Sequence, residues 1–226
     1  MNAELINALS NSFTNILPSY YQSSDYLPIN LSNTNTELQG VDVASSSAME
    51  RYIEGYLKRN KAKVAYGGYL EKRAIYQRSE HFNQNDPDTE RNIHLGLDLW
   101  CPAGTPIIAP LSGTVHSFKN NDNYGDYGPT IIVEHTVGDI KLYTLYGHLS
   151  LASIQGLEKQ KNVVKGQQIA ELGDASVNGD YAPHLHFQII LDMQGNEGDY
   201  PGVCSKRDLS FYQKNCPDPN LILNLG

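Results

Sequence analysis

The chain has few cysteines, no long apolar run and no long run of basic residues, and each shortage removes a class of protein. Three cysteines in 226 residues, Cys101, Cys204 and Cys216, are too few and odd in number for a disulfide-stapled scaffold. Cys204 and Cys216 could pair in an oxidising compartment; reduced, structural thiols are the alternative. No stretch approaches the roughly 18 apolar residues of a membrane span, since the apolar patch over 105–111 is short and broken by prolines. No basic run is longer than a pair such as Lys58-Arg59, and 17 basic against 25 acidic residues leave a net charge of −8. Nucleic acid and anionic membrane are therefore poor partners. The start, Met1-Asn2-Ala3-Glu4-Leu5, lacks the basic residues and the apolar stretch of about 7–15 residues that a secretory signal needs. A cytoplasmic location is the expectation, with a secreted or periplasmic one if export is unconventional.

What is present is turn-rich text with strand-forming residues: 19 Gly, 11 Pro and 15 Tyr. Residues 1–90 read as an N-terminal extension, 91–200 as the main domain and 201–226 as a tail. The first 45 residues look extended or partly helical. From Ser47, the spacing of Met49, Tyr52, Ile53, Tyr56 and Leu57 predicts one amphipathic helix over about 47–59, with Ser45, Ser46 and Ser47 as cap candidates and Lys58 and Arg59 near its end. Residues 64–69 turn strand-like around Gly67-Gly68. Strands are predicted over 105–109, 113–118, 130–134, 141–146, 168–172 and 184–191. No helical pattern of 10–15 residues separates them, so the expected fold is mainly β: an antiparallel β-sheet core with a groove, plus short N-terminal helical elements. The tail predicts a short helix over 209–214 and then an extended end.

Two short patterns carry the chemistry. In His94-Leu95-Gly96-Leu97-Asp98 the polar groups are four apart, an even offset that points both to one face of an extended segment. Gly96 between them would leave room for an ion, while Leu95 and Leu97 pack on the other side. His184-Leu185-His186-Phe187 repeats the logic with two imidazoles on one face. Zinc accepts imidazole nitrogen and carboxylate oxygen, and its catalytic sites keep three protein ligands and one open position. Each pattern alone occurs readily by chance; the joint context is what counts. That context is Ala103-Gly104-Thr105-Pro106-Ile107-Ile108-Ala109-Pro110, Ser112-Gly113-Thr114-Val115, Tyr146-Gly147-His148-Leu149-Ser150, Gly166-Gln167-Gln168-Ile169-Ala170 and Pro183-His184-Leu185-His186-Phe187.

This order of motifs resembles the lysostaphin-type (LytM-like) zinc endopeptidases, which cut peptide cross-links in bacterial peptidoglycan, over roughly residues 92–192. The resemblance implies zinc held by His94, Asp98 and His186. It implies catalytic roles for His148 and His184 beside the zinc-bound water, one orienting or deprotonating it and the other stabilising the oxyanion, the two roles being interchangeable at this level. The implied partner is a peptide or peptidoglycan substrate. Three departures bear on substrate choice: Gly173-Asp174-Ala175-Ser176 and Gly179-Asp180-Tyr181-Ala182-Pro183 replace the family's Thr-Gly and Ser-Thr-Gly-Pro text, Gln188 stands where Glu is common, and the loop Tyr124-Gly125-Asp126-Tyr127-Gly128-Pro129 is longer and more aromatic. Tyr124 and Tyr127 could line the groove, with ordinary loop packing the favoured expectation, and His81, His116 and His135 are expected to be structural or surface groups.

Other readings are a catalytically weak or inactive metal-binding regulatory module, which should have lost ligands, and a hydrolase of a cytosolic peptide. A lipoyl- or biotinyl-carrier reading of 163–170 fails because 171–181 has no lysine to modify.

Overall fold

A computed structural model describes residues 15–78, 86 and 88–225. Along the chain run β1 (Tyr26–Pro28), α1 (Ser46–Asn60), β2 (Val64–Gly67), β3 (Arg91–His94), β4 (Leu97–Trp100), β5 (Pro106–Ile108), β6 (Gly113–Asn121), β7 (Gly128–Val137), β8 (Ile140–Gly147), β9 (Asn162–Val163), β10 (Gln168–Glu171), β11 (His184–Ile190), β12 (Val203–Ser205), α2 (Leu209–Asn215) and α3 (Asn220–Leu223). Eight of these strands form one sheet in the order β1-β2-β4-β11-β8-β7-β6-β9. Two antiparallel pairs, β5 with β10 and β3 with β12, stand apart from it.

The strand alternation decides which face does what. On β11, Leu185, Phe187 and Ile189 enter the largest apolar cluster, together with Leu97 and Leu99 of β4. The intervening Asp98, His184 and His186 point to the opposite face. Pairing then sets their neighbours: His186 lies opposite Asp98 on β4 and opposite Gly147 on β8, and Asp98 lies opposite Gly67 on β2. A single cross-sheet row thus reads Gly67, Asp98, His186, Gly147. A slip of one residue would turn both polar side chains into the apolar core, so packing of the leucines specifies the register.

The mainly β expectation holds, with one correction. The sheet is mixed rather than wholly antiparallel, because β1 from the N-terminal lead-in joins β2 in parallel, Tyr26 opposite Val64. A parallel pair needs a long crossover, and α1 provides it. The helix forms as its spacing requires: the Ser45 side chain accepts from the Ala48 N–H, Lys58 and Arg59 sit in the last turn, and Lys61 closes it with φ 56°. Met49 and Ile53 are buried, and Tyr52, Tyr56 and Leu57 pack beside them in the cluster that holds Trp100 and Ala182. Two smaller differences concern the tail. It carries α2 as expected, but the end read as extended holds a further turn, α3, whose Ile222 reaches the main core. Cys204 and Cys216 are buried free thiols in one apolar cluster.

Because β2 shields the edge of β4, removal of the residues before about 80 should expose that edge and strip the cover from Trp100. The truncated chain is expected to aggregate or melt well below the full chain. Ile53→Ala should cost about 2–5 kcal/mol in urea unfolding through the cavity it leaves. A soluble truncation with an unchanged melting temperature would contradict this account of the N-terminal layer.

Candidate metal centre and active site

His94, Asp98, His148, His184 and His186 come from four strands or strand ends and meet on one face, each no more than 5% exposed. The segment containing His94 and Asp98 is not one extended strand. It breaks at Leu95-Gly96, so β3 pairs with β12 while β4 enters the main sheet. The role foreseen for Gly96 also changes: a Cβ there would lie 2.5 Å from His186 Cε1, so the missing side chain makes room for an imidazole and not for an ion. Gly147 does the same for the Tyr127 ring, where a Cβ would stand 2.7 Å from Cδ1.

Hydrogen bonds define the tautomer of each imidazole. His94 Nδ1–H donates to the Gly68 carbonyl at 2.9 Å, His148 Nδ1–H to the Asn178 carbonyl at 2.7 Å, and His184 Nδ1–H to the Ala182 carbonyl at 2.7 Å. Each of these leaves a lone pair on Nε2. His186 is reversed, with Nε2–H donating to Gln188 Oε1 at 3.0 Å and the lone pair on Nδ1. Gln188 is oriented by its own amide, which donates to the Pro201 carbonyl and to Cys216 Sγ. The glutamine in place of a family glutamate therefore still sets a histidine tautomer.

Three acceptor atoms now converge. His94 Nε2 and His186 Nδ1 are 2.9 Å apart, and Asp98 Oδ1 lies 3.3 Å from the first and 3.2 Å from the second. Two lone pairs and an anionic oxygen repel one another at such distances unless a cation sits among them. A tetrahedral ion with ligand bonds of about 2.0–2.1 Å spaces its ligand atoms by roughly 3.3 Å. The donor set thus fits one divalent metal, and among the described residues these three are the group able to hold it. His184 Nε2 stands 3.9 Å from Asp98 Oδ1, and its ring centroid is 4.2 Å from that of His148. Both flank the triad. His148 has φ 62°, a left-handed conformation held by its N–H on the Tyr127 carbonyl.

Electrostatics match this arrangement. Burial pushes His94 down to about 4 despite the adjacent Asp98, and burial likewise lowers His148 and His184. Burial opposes ionisation of Asp98, but His94 and Arg73 outweigh it and hold the carboxyl well below its ordinary range.

Arg73 has no motif to announce it. Residues 70–73 pair alongside β3, with His94 N–H on the Glu71 carbonyl and Arg73 N–H on the Asn92 carbonyl. This brings Arg73 Nη1 to 2.5 Å from Asp98 Oδ2, the oxygen facing away from the triad. Arg73 Nε bonds Glu71 Oε2, and Glu71 Oε1 accepts the Leu31 N–H. A polar chain thereby links the N-terminal layer to the central carboxylate. Tyr127 needs a correction too: it is not ordinary loop packing. Its hydroxyl donates to the Tyr200 carbonyl and lies 3.5 Å from His186 Nε2, and its ring packs on His148 and His186. Tyr124 is exposed, His135 is tied to the Ser112 carbonyl and the Thr144 hydroxyl, and His116 bonds Ser117, all remote from the triad. His81 lies outside the described residues.

Residues 92–198 match Peptidase family M23. The chain is 34% identical over 102 residues to the DD-carboxypeptidase/endopeptidase Mpg of Neisseria meningitidis serogroup B, covering 45% of this chain and 21% of that protein. It is 32% identical over 111 residues to a metalloprotease of Haemophilus influenzae, covering 49% and 21%. The chain spans about a fifth of the length of these curated relatives. Among solved structures, the catalytic domain of lysostaphin from Staphylococcus simulans aligns with 23% identity and a TM-score of 0.38, covering 54% of this chain and 80% of that one.

Arg73→Lys keeps the charge but loses the fork that orients Asp98. It should weaken metal retention about 10–100-fold, read by competition with a chromogenic chelator using zinc as probe; unchanged affinity would remove Arg73 from the site. For metal-free protein, the histidines with lowered folded pKa are neutral when folded and protonate near 6.5 when unfolded, so the unfolded chain binds more protons below that pH. Stability should fall as pH drops from about 6.5 towards about 4, with His94 alone contributing on the order of 3 kcal/mol. Urea midpoints that stay level between pH 7 and pH 5 would refute it.

Proposed function

We propose, from the premise that residues 92–198 are a peptidase family M23 domain, that this chain is a zinc-dependent endopeptidase hydrolysing peptide bonds, with peptidoglycan cross-links as the substrate class. The single observation that carries the reading is the convergence of His94 Nε2, Asp98 Oδ1 and His186 Nδ1 within 2.9–3.3 Å in a buried pocket. These three residues would hold the zinc. Bound there, zinc would supply a Lewis acid that lowers the pKa of water and polarises a peptide carbonyl.

The chain's own groups supply the proton chemistry. His184 and His148 both begin neutral with Nδ1–H committed to a backbone carbonyl, so each offers an Nε2 lone pair. One takes a proton from the attacking water as the new C–O bond forms. The same proton then passes to the leaving amine nitrogen as the C–N bond breaks. We assign water deprotonation to His184, whose newly gained Nε2–H is the donor to the developing oxyanion before it passes to the amine, while His148, neutral with its Nε2 lone pair, accepts a hydrogen bond from the attacking water and orients it. Their separation of 4.2 Å between centroids suits two groups acting on one reacting centre. Asn178 and Ala182, from the loop whose text departs from the family, orient the two rings through their carbonyls. A regulatory module without catalysis would have no need for two such oriented bases beside a complete ligand set.

His148→Ala and His184→Ala should retain about one zinc per chain by elemental analysis, while hydrolysis of cell-wall peptides falls by about 10²–10⁴. His94→Ala, Asp98→Ala and His186→Ala should lose the metal itself. Parent-like turnover in both His148→Ala and His184→Ala would overturn the mechanism, and no metal uptake by the parent chain would overturn the zinc assignment.

A further inference from the structure

The triad opens into a cavity of about 420 Å³, and its lining does not come from the family-matched segment alone. One end is formed by His94, Asp98, His184 and His186. The other draws the apolar Leu38, Val41, Val43, Met49 and Ile53 from the N-terminal layer, with Ser32, Asn33, Asn35 and Gln39 of that layer also on the lining, and Trp100 of β4 joins this apolar group to the triad. Trp100 stacks on His184 at 5.6 Å and 21° between the rings, and the Arg73 guanidinium lies 5.4 Å from the centroid of the indole. The indole is therefore held in place and forms a shared wall between the reacting groups and the apolar end.

We infer that residues 38–53 build a specificity subsite, one that admits an apolar side chain larger than methyl on a substrate residue flanking the scissile bond. The inference rests on the peptidase reading for the position of that bond, and on the cavity for the chemistry of the side chain. Three features support it. The apolar end is continuous with the triad, so a peptide whose carbonyl reaches the metal ligands must place a neighbouring side chain towards Trp100 or leave that space to water. Leu38, Val41 and Val43 are only partly buried although they lie against a core cluster, so they present apolar surface to the cavity. Leu38, Val41, Val43, Met49 and Ile53 offer no charged side chain to bind a carboxylate or ammonium, and Arg73, beside Trp100, gives Nε to Glu71 and Nη1 to Asp98, with its buried Nη2 left without a hydrogen-bond partner among the described residues. Burial of a leucine- or phenylalanine-sized side chain contributes enough to give a selectivity ratio of about 10–200-fold. A glycine on both sides of the bond would gain nothing from this space.

The test uses the full zinc-loaded chain and peptides that differ only at the two residues flanking one bond: Gly, Ala, norleucine, Leu or Phe. The expected result is a kcat/KM at least about tenfold higher for one of the larger side chains than for Gly or Ala. Val41→Phe, which fills the apolar end, should lower that ratio at least about tenfold, and Leu38→Ala, which enlarges it, should shift preference towards Phe. Far-UV spectra and melts establish that each variant is folded, and Tyr124→Ser, at an exposed site elsewhere, should keep the parent ratio. Direct binding of N-acetyl-leucinamide against N-acetylglycinamide, followed by NMR, reads the pocket without turnover. Leucinamide binding that Val41→Phe abolishes, with no peptide hydrolysed, would support the subsite and defeat the peptidase reading. Hydrolysis with equal rates for Gly and Leu, or a ratio untouched by Val41→Phe, would overturn the subsite and leave the peptidase reading standing.

Discussion

Two imidazole lone pairs and a carboxylate oxygen pressed to within 2.9–3.3 Å of one another, away from water, form the constraint around which the rest of this molecule is arranged. Left alone, such a cluster is repulsive, and burying it costs more than burying polar groups that find partners. The fold offsets this by giving every remaining polar atom of the three residues a fixed neighbour. Gly68 and Gln188 hold the far nitrogens of the imidazoles, and Arg73 holds the far oxygen of Asp98. Each of these contacts points the lone pairs inward, which favours a cation and disfavours any other occupant.

The packing obeys the same constraint. Gly96 and Gly147 have no side chain because the rings of His186 and Tyr127 fill those positions. A methyl group at either would displace a ring that defines the site. Tyr127 in turn spans His148 and His186 while its hydroxyl anchors on the Tyr200 carbonyl, so an aromatic loop residue braces two histidines at once.

The N-terminal layer is built into this system rather than placed beside it. Its β1 and β2 extend the sheet beyond β4, α1 packs in the cluster around Trp100, and the Leu31 N–H reaches Glu71, which holds Arg73, which holds Asp98. Sheet, apolar wall and central carboxylate are thus mechanically continuous. Movement of the layer would alter both the room beside Trp100 and the orientation of Asp98.

Much of this was legible in the linear text. The period of two around Leu97, Leu185 and Phe187 determined which side chains share a face, though it did not carry through Leu95, which lies beyond the break at Leu95-Gly96 in another apolar cluster; the 3.6-residue spacing from Met49 to Leu57 determined a helix. Four of the five residues gathered at the site were visible as types and spacings, and His148 through the resemblance of its motif alone. Arg73, Tyr127 and Gly68 were not. Their roles depend on register between strands distant in the chain, which no local spacing encodes. The parallel pairing of Tyr26 with Val64 belongs to the same class, since so short a strand has too little pattern to stand out. By itself, the sequence determined the chemistry of the donors and the faces they occupy; the tertiary structure alone decided which nitrogen of each imidazole faces inward and what walls the space beside them, because both are set by contacts between segments distant in the chain.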